Sequence, residues 1–282
     1  MEFITDAFAF GFMQRALIGG LVAVVATSIV GTWVVLRGLA FLGDALAHGV
    51  IPGIAVAVLV GFHPMIGAFI AALLMSGLIT AVETRTSVRE DTAIGLLFVG
   101  MLSLGIVIIS RSDSFTADVT TLLFGDVLGV SWGDIVSQSV AAAIVIVVTV
   151  VFYRPFLALT FNSVKAETLG MRPKLSQMLL LALLSLSIVA SFQAIGTLLL
   201  FGLIVGPPAT AAIVVSRVPA IMAVSILQGS FSVIAGLLVS FHFDTAGGAT
   251  IAGISIAIFF VTLGARELAA FLRPRSHLGA QA

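Results

Sequence analysis

The residues that could do chemistry are an aspartate and a histidine, Asp44 and His48, in an apolar, glycine-rich stretch of the chain. Residues four apart share one face of a helix, with Cβ atoms about 5–6 Å apart. A carboxylate and an imidazole at that spacing can close on one divalent cation, as paired histidines do in helical zinc motifs. Pro52 removes a backbone donor one turn later and indicates a helix break beside the pair. The pattern therefore predicts a metal site.

Two ligands do not complete a metal site. Zinc takes about four ligands and manganese about six, so a partner helix, water or a second subunit must supply the rest. Incomplete coordination suits an ion in transit, which must also be released. The alternative is a capping aspartate and a hydrogen-bonded interhelical histidine, with no metal. A charge at membrane depth costs about 2.5–3.5 kcal/mol on insertion scales, which favours a functional role.

The elements that must position this pair are membrane-spanning helices. Apolar residues make up 60% of the chain and charged residues only 9%, and the mean hydropathy is +1.24. A soluble domain would carry about a quarter charged residues. We therefore expect an all-α, polytopic transmembrane helical bundle, with one integral domain over 1–282. The absence of cysteine excludes disulfides and thiolate metal sites. Trp33, Trp132 and Tyr153 are interpreted as anchors at the membrane interface.

About nine apolar runs approach the roughly 20 residues that cross a bilayer. They are 16–36, 45–61, 64–82, 92–110, 135–153, 177–192, 194–215, 219–241 and 247–268. If the segment that carries Asp44 does not cross fully, eight spans remain. The region 177–215 could also be one long broken element. Pro64, Pro173 and Pro219 stand where segments begin, as proline prefers.

Basic residues lie mainly in the connections 83–91 and 154–174 and in the C-terminal tail. By the positive-inside rule these parts face the cytoplasm, so we expect a multi-pass protein of the cell membrane with a cytoplasmic C-terminus. The opposite, outer face is acidic, and we expect it to dock a binding protein or to concentrate cations by electrostatic steering. Its carboxylates are Asp113, Asp118, Asp126, Asp134 and Asp244.

A stretch at 160–174 is too polar to cross the membrane and too long for a bare turn. It predicts a short cytoplasmic helix with Gly170 as its C-cap and Pro173 as its stop. Either this helix is presented to a soluble partner, or it is an ordinary solvated loop helix. The residues that would make the contact are Lys165, Ala166, Glu167, Leu169, Gly170 and Arg172.

A further proline-containing stretch, 194–211, holds the double proline Pro207 and Pro208 directly after Gly206. Two prolines in an apolar span predict a helix break. Together with Pro52 they are candidate gate or hinge residues. Packing is the commoner explanation of such patterns, because small residues permit close contacts between helices.

No enzyme motif is present in the sequence. Neither of its two lysines follows a glycine, which excludes a G-x-x-x-x-G-K-[ST] phosphate loop, and there is no G-x-S-x-G or H-E-x-x-H motif. We therefore expect a transport subunit without catalytic residues. If ATP drives transport, another chain must bind it.

Four motifs resemble those of the permease subunits of zinc/manganese/iron ABC importers. They are L-R-G-L-A-F-L-G-D-A-L-A-H-G-V-I-P-G at 36–53, L-L-F-G-D-V-L-G-V at 122–130, L-L-L-F-G-L-I-V-G-P-P-A-T-A at 198–211 and F-D-T-A-G-G-A-T-I at 243–251. The similarity spans nearly the whole chain in the right order, and the first motif is the most specific.

The resemblance implies a homodimeric permease of nine helices, a reduced version of the cobalamin and siderophore permeases. It implies that Asp44 and His48 coordinate the metal and that 166–170 docks on a cytoplasmic ABC ATPase. An extracytoplasmic metal-binding protein would deliver the ion. No permanently bound cofactor and no nucleic acid are expected. The transported ion would be zinc, manganese or ferrous iron, which the pair does not distinguish.

Two other functions stay open at this stage. A permease for iron-siderophore or cobalamin would share the architecture, but such bulky ligands need no aspartate–histidine chelate. A stand-alone secondary metal transporter would need no coupling helix. Co-purification with an ATPase separates the second of these from an ABC permease.

Overall fold

The computed structural model of the protein describes residues 8–110, 129–161, 167 and 171–272. Within these ranges it contains ten α-helices and no strand. The helices are α1 (Gly11–Leu36), α2 (Ala40–Gly49), α3 (Ile51–Val60), α4 (Pro64–Arg85), α5 (Glu90–Ile109), α6 (Trp132–Val151), α7 (Tyr153–Phe161), α8 (Pro173–Val214), α9 (Val218–Phe243) and α10 (Gly247–Leu272). The predicted all-α fold class is confirmed.

Eight helical segments of the described chain are long and apolar enough to cross a membrane. Helices α2 and α3 together form one of them, Ala40–Val60, and α8 contributes Pro173–Phe192. The second half of α8, Leu199–Val214, is a shorter apolar helix. These nine pieces match the nine apolar runs predicted from the sequence. Helix α8 contains two of these pieces in one continuous helix. Its 42 residues extend over about 63 Å, which is about twice the thickness of a bilayer core.

The interior of the bundle is organised around α1 and α8. In the membrane-crossing parts of α1 and of the first half of α8, 72% of residues are buried, against 17% in α5 and α10. The largest fully buried side chains are Trp33, Phe156, Met13, Leu42, Leu46, Met75, Ile79, Ile94, Leu181, Leu184 and Ile188. The interpretation of Trp33 as an interfacial anchor is therefore wrong, because packing against neighbouring helices encloses it completely.

A rigid turn joins α1 to α2. After the C-cap residue Arg37, Gly38 adopts the left-handed conformation with φ +73°, which a β-carbon would strain. The N–H groups of Gly38 and Leu39 donate to the carbonyls of Val35 and Val34, at 3.0 and 2.9 Å. This is a Schellman motif, closed by the buried side chain of Leu39. The end of α1 therefore fixes the direction in which α2 starts.

The predicted helix break beside the candidate metal pair is slight. Val50 alone separates α2 from α3, and its φ of −79° and ψ of −17° are close to helical values. Pro52 stands in the first turn of α3, where a missing N–H is least costly, and it is buried. The N–H of Ile54 donates to the carbonyl of Val50 at 3.1 Å. Asp44 and His48 thus lie in the first half of one nearly continuous segment.

Candidate metal site

Asp44 and His48 face each other across one turn of α2. The donor atoms Asp44 Oδ1 and His48 Nε2 are 3.5 Å apart. A direct N–H···O hydrogen bond would be shorter, about 2.7–3.2 Å. Two ligands of one tetrahedral zinc ion, each about 2.0–2.2 Å from the metal, stand roughly 3.4 Å apart. The spacing therefore fits two ligands that share one cation between them.

The pair lies on the open side of a helix that is otherwise buried. The side chains of Asp44 and His48 are 30% and 20% exposed, and Phe41, one turn earlier, is 46% exposed. The residues around them are buried inside the chain, namely Leu42, Gly43, Ala45, Leu46, Ala47 and Gly49. Phe41, Asp44 and His48 therefore form an open stripe on the surface of the folded chain.

An aromatic side chain from α5 covers one side of the open stripe. The ring of Phe98 meets the His48 ring edge-on, with centroids 5.9 Å apart and an interplanar angle of 61°. The same ring packs against Phe41 at 5.7 Å and 76°. Phe98 thus restricts the orientation of the imidazole and gives the site an apolar wall. No sequence pattern singles it out, because it is one of 21 phenylalanines in an apolar chain.

The buried side of α2 packs closely against two other helices, and at Gly49 the contact requires glycine. A β-carbon at Gly49 would overlap the sulfur of Met75 on α4, and one at Gly43 would touch Ile204 Cγ2 on α8 at 3.4 Å. Helix α2 therefore packs tightly against both neighbours. Because Gly43 directly precedes Asp44, the contact with α8 also brings the candidate gate residues close to the site: Ile204 lies one turn before Pro208.

Within the described ranges of the chain, no third candidate ligand lies close to the pair. In the part of the chain that the structure describes, no three His, Asp or Glu residues come close enough to hold one metal ion. The other described histidines lie at helix ends. His63 Nδ1 accepts a hydrogen bond from the Met65 N–H at 3.3 Å, and His242 Nδ1 lies 2.8 Å from the Leu238 carbonyl oxygen. Within the described residues, Asp44 and His48 are thus the two candidate ligands at this position, one carboxylate and one imidazole.

The double proline does not end α8, so the predicted helix break there is wrong. Pro207 and Pro208 lie inside the helix and are buried. They offer no N–H to the carbonyls of Leu203 and Ile204, four residues earlier. Neighbouring groups can compensate for lost hydrogen bonds inside a membrane bundle, which allows such a helix to continue.

Close packing surrounds the candidate gate residues. Gly31 of α1 lies against the Ile204 carbonyl, and a β-carbon there would overlap its oxygen. On the other side, a β-carbon at Gly206 would stand 2.5 Å from Ser255 Oγ on α10. The Thr210 hydroxyl donates to the Gly206 carbonyl at 2.8 Å. These contacts show a packing role, and the gate or hinge role of Pro52, Gly206, Pro207 and Pro208 stays a prediction.

Most of the predicted coupling segment lies outside the described residues, including Lys165, Ala166, Leu169 and Gly170. Glu167 is helical and exposed. Arg172 directly precedes α8, and its carbonyl accepts from the backbone N–H and the hydroxyl of Ser176, at 3.1 and 3.2 Å. The contact of this segment with an ATPase stays a prediction.

The predicted acidic outer face is described at two of its five positions, because Asp113, Asp118 and Asp126 lie outside the described ranges. Asp134 and the N-cap residue Ser131 form a capping box at the start of α6. The Asp134 carboxylate accepts from the N–H and the hydroxyl of Ser131 at 3.0 and 2.6 Å, and the Ser131 hydroxyl oxygen accepts from the Asp134 N–H. Asp244 ends α9 in the left-handed conformation and is exposed. Replacing Asp134 would remove this capping box as well as a charge, so it cannot report on docking alone.

Comparisons with known proteins give this geometry a context. The sequence model of the ABC 3 transport family matches residues 9–266. The manganese transport system membrane protein MntC of Halalkalibacterium halodurans is 34% identical over 257 residues, which cover 91% of this chain and 88% of that protein. The chelated iron transport system membrane protein YfeD of Yersinia pestis is 32% identical over 260 residues, 92% and 87% of the two chains. A chain of PsaBC from Streptococcus pneumoniae in complex with Fab superposes with a TM-score of 0.82 at 30% identity, covering 93% of this chain and 94% of that one.

Proposed function

The chain belongs to the ABC 3 transport family, as its motifs predicted, and we propose from that premise that it is the membrane permease of an ATP-driven importer of a divalent transition-metal ion. Two relatives carry manganese and chelated iron in their names. Zinc, manganese and ferrous iron all suit an imidazole and a carboxylate. The observation that carries the proposal is the 3.5 Å separation of Asp44 Oδ1 and His48 Nε2 within the membrane segment Ala40–Val60.

Asp44 and His48 coordinate the ion in transit. The carboxylate offsets part of the charge of a dication, which would otherwise be expensive to move out of water. The imidazole binds through Nε2 in its neutral form, so it adds a ligand without adding a charge. Because one chain supplies only two ligands, the ion keeps part of its hydration or takes further ligands elsewhere. Such a site holds the ion weakly enough to release it.

The permease acts as a homodimer, with a separate cytoplasmic ABC ATPase and an extracytoplasmic metal-binding protein. The open stripe presents Asp44 and His48 outward from the protomer, where a second copy can contribute the same two residues. Two copies would supply four protein ligands, the number that zinc prefers, and water would complete six for manganese. The C-terminus lies on the cytoplasmic side of the cell membrane, as does the segment 160–174 that contacts the ATPase.

The test is uptake of radioactive manganese, zinc or ferrous iron into liposomes that contain the permease and its ATPase, supplied with binding protein. Asp44→Ala and His48→Ala should each abolish uptake while the complex stays assembled. Two matched controls, Asp91→Ala at the exposed start of α5 and His242→Ala at the end of α9, should retain it.

Three results would contradict the proposal. Normal uptake by both Asp44→Ala and His48→Ala would remove the pair from the transport path. Uptake by the wild type that continues without ATP and without the ATPase would identify a stand-alone secondary transporter instead. Uptake of a ferric siderophore without any uptake of free metal would favour the bulky-ligand alternative.

A further inference from the structure

Trp33, in the last turn of α1, is completely enclosed by neighbouring helices. Trp33 is 0% exposed, and its indole Nε1–H has no hydrogen-bond partner in the described part of the chain. Buried indole N–H groups usually find an acceptor, and an unpaired one calls for an explanation. An apolar side chain could fill this position without leaving a buried donor unpaired. Because the N–H has no partner, whatever is specific about this position comes from the contacts of the aromatic ring.

The contacts of Trp33 lead to a single short helix. Its ring meets Tyr153 edge-on at 5.7 Å and 61°, and meets Phe156 at 5.7 Å and 64°. Phe156, which is completely buried, also packs on Phe152 at 6.2 Å. Tyr153 and Phe156 both belong to α7, and edge-to-face pairs of this kind add a directional contact to simple burial. The aromatic contact therefore ties α7 to the end of α1.

Helix α7 is the element through which the chain enters the predicted coupling segment. It has nine residues, too few to cross a membrane, and it ends at Phe161, inside the segment 160–174. A force applied to that segment by an ATPase would reach α7 directly along the chain. Through Tyr153 and Phe156 it would reach Trp33.

On the other side, Trp33 lies one turn before the rigid joint to the metal-bearing helix. The Trp33 carbonyl accepts the N–H of Arg37, and the Schellman motif at Gly38 then fixes where α2 begins. Asp44 follows in the second turn of α2. Since this joint is closed by hydrogen bonds and a positive-φ glycine, a displacement at the end of α1 carries α2 with it as a rigid body.

We infer that Trp33 is a positioning residue that transmits movement of α7 to the helix bearing Asp44 and His48, so that ATP hydrolysis in the partner chain moves the metal pair as a unit. This inference rests on the proposed function. It adds a specific contact, Trp33 with Tyr153 and Phe156, by which the coupling segment acts on the site.

The experiment uses the full permease–ATPase complex in liposomes, with manganese and the binding protein, and measures manganese transported per ATP hydrolysed. Trp33→Leu and Tyr153→Leu should each lower this ratio about fivefold or more, while ATP hydrolysis continues and the ATPase stays bound. Trp33→Phe keeps an aromatic edge and should stay near the wild type. The double variant should be no worse than the stronger single one, because both changes break the same contact. Trp132→Leu, the same substitution at a residue 60% exposed, is the matched control and should leave the ratio unchanged.

An unchanged ratio in both leucine variants would overturn the inference. So would a parallel fall of uptake and hydrolysis, since that would indicate a purely structural role. If Trp33→Leu fails to assemble, Tyr153→Leu decides the question, because Tyr153 is only half-buried. Absence of metal uptake by the wild-type complex is a different result, which refutes the proposed function itself.

Discussion

From the close contact between α1 and α8 we predict that Gly31→Ala lowers the stability of the permease. A β-carbon at Gly31 would overlap the Ile204 carbonyl oxygen and would lie 3.1 Å from Pro208 Cγ. Pro208 provides no N–H for that carbonyl, so the carbonyl is free to point toward α1. The obstacle is therefore fixed backbone and a rigid ring, and no change of side-chain rotamer can relieve it.

Two effects of Gly31→Ala act in opposite directions on the free energy of unfolding. Alanine is a better helix former than glycine by about 1 kcal/mol. Overpacking a well-packed core costs about 1–3 kcal/mol, and sometimes more. Because the overlap is with backbone, we take the upper part of that range and expect a net loss of about 1–2 kcal/mol. The substitution should also push α1 away from α8 and so weaken metal uptake.

The measurement is the thermal unfolding temperature of the purified permease, with Gly77→Ala as the matched control. A β-carbon at Gly77, on α4, would have open space around it, so this variant reports only the gain in helix propensity. Its unfolding temperature should equal or exceed that of the wild type. Gly206→Ala should fall between the two, because the atom it meets, Ser255 Oγ, can rotate away. If Gly31→Ala unfolds at or above the temperature of Gly77→Ala, the steric argument is refuted.

Two further predictions concern the surfaces of the permease. Gly170→Val should detach or uncouple the ATPase while membrane insertion is retained, because the C-cap role predicted for Gly170 from the sequence would not tolerate a branched side chain. Co-purification and metal-stimulated hydrolysis test this, and a normal complex would mean that the coupling contact lies elsewhere. Replacing Asp113, Asp118 and Asp244 together by asparagine should slow uptake more at low than at high ionic strength, because salt screens steering by exposed charges. Equal rates at both ionic strengths would show that these carboxylates are merely solvated.

The parts of the fold that follow from local properties could be predicted from the sequence. The apolar runs marked the membrane segments, because a span needs only enough consecutive apolar residues. Pro64 and Pro173 marked the starts of α4 and α8, where proline fits the first turn. The four-residue spacing of Asp44 and His48 was enough to place them on one face of a helix.

The parts that depend on tertiary packing could not be predicted. Burial of Trp33 and the position of Phe98 over His48 require knowledge of which helices are neighbours. The continuity of α8 through its double proline depends on the groups that surround it. One local signal was overlooked, since Ser131 and Asp134 carry the S-x-x-D pattern of a capping box. That pattern already indicated a structural role for one of the predicted outer carboxylates.

The packing of α2 limits how the metal pair can change during transport. Asp44 and His48 lie on the partly exposed side of a helix whose other side packs at Gly43 and Gly49. A β-carbon at Gly49 would overlap Met75, and one at Gly43 would stand in van der Waals contact with Ile204, so the helix has little room to rotate about its own axis. In the proposed site, the ion is then released most easily when the whole of α2 moves relative to the surface that its open stripe faces. A shift of that kind separates ligands supplied by different helices or copies, while the 3.5 Å spacing within the pair stays the same.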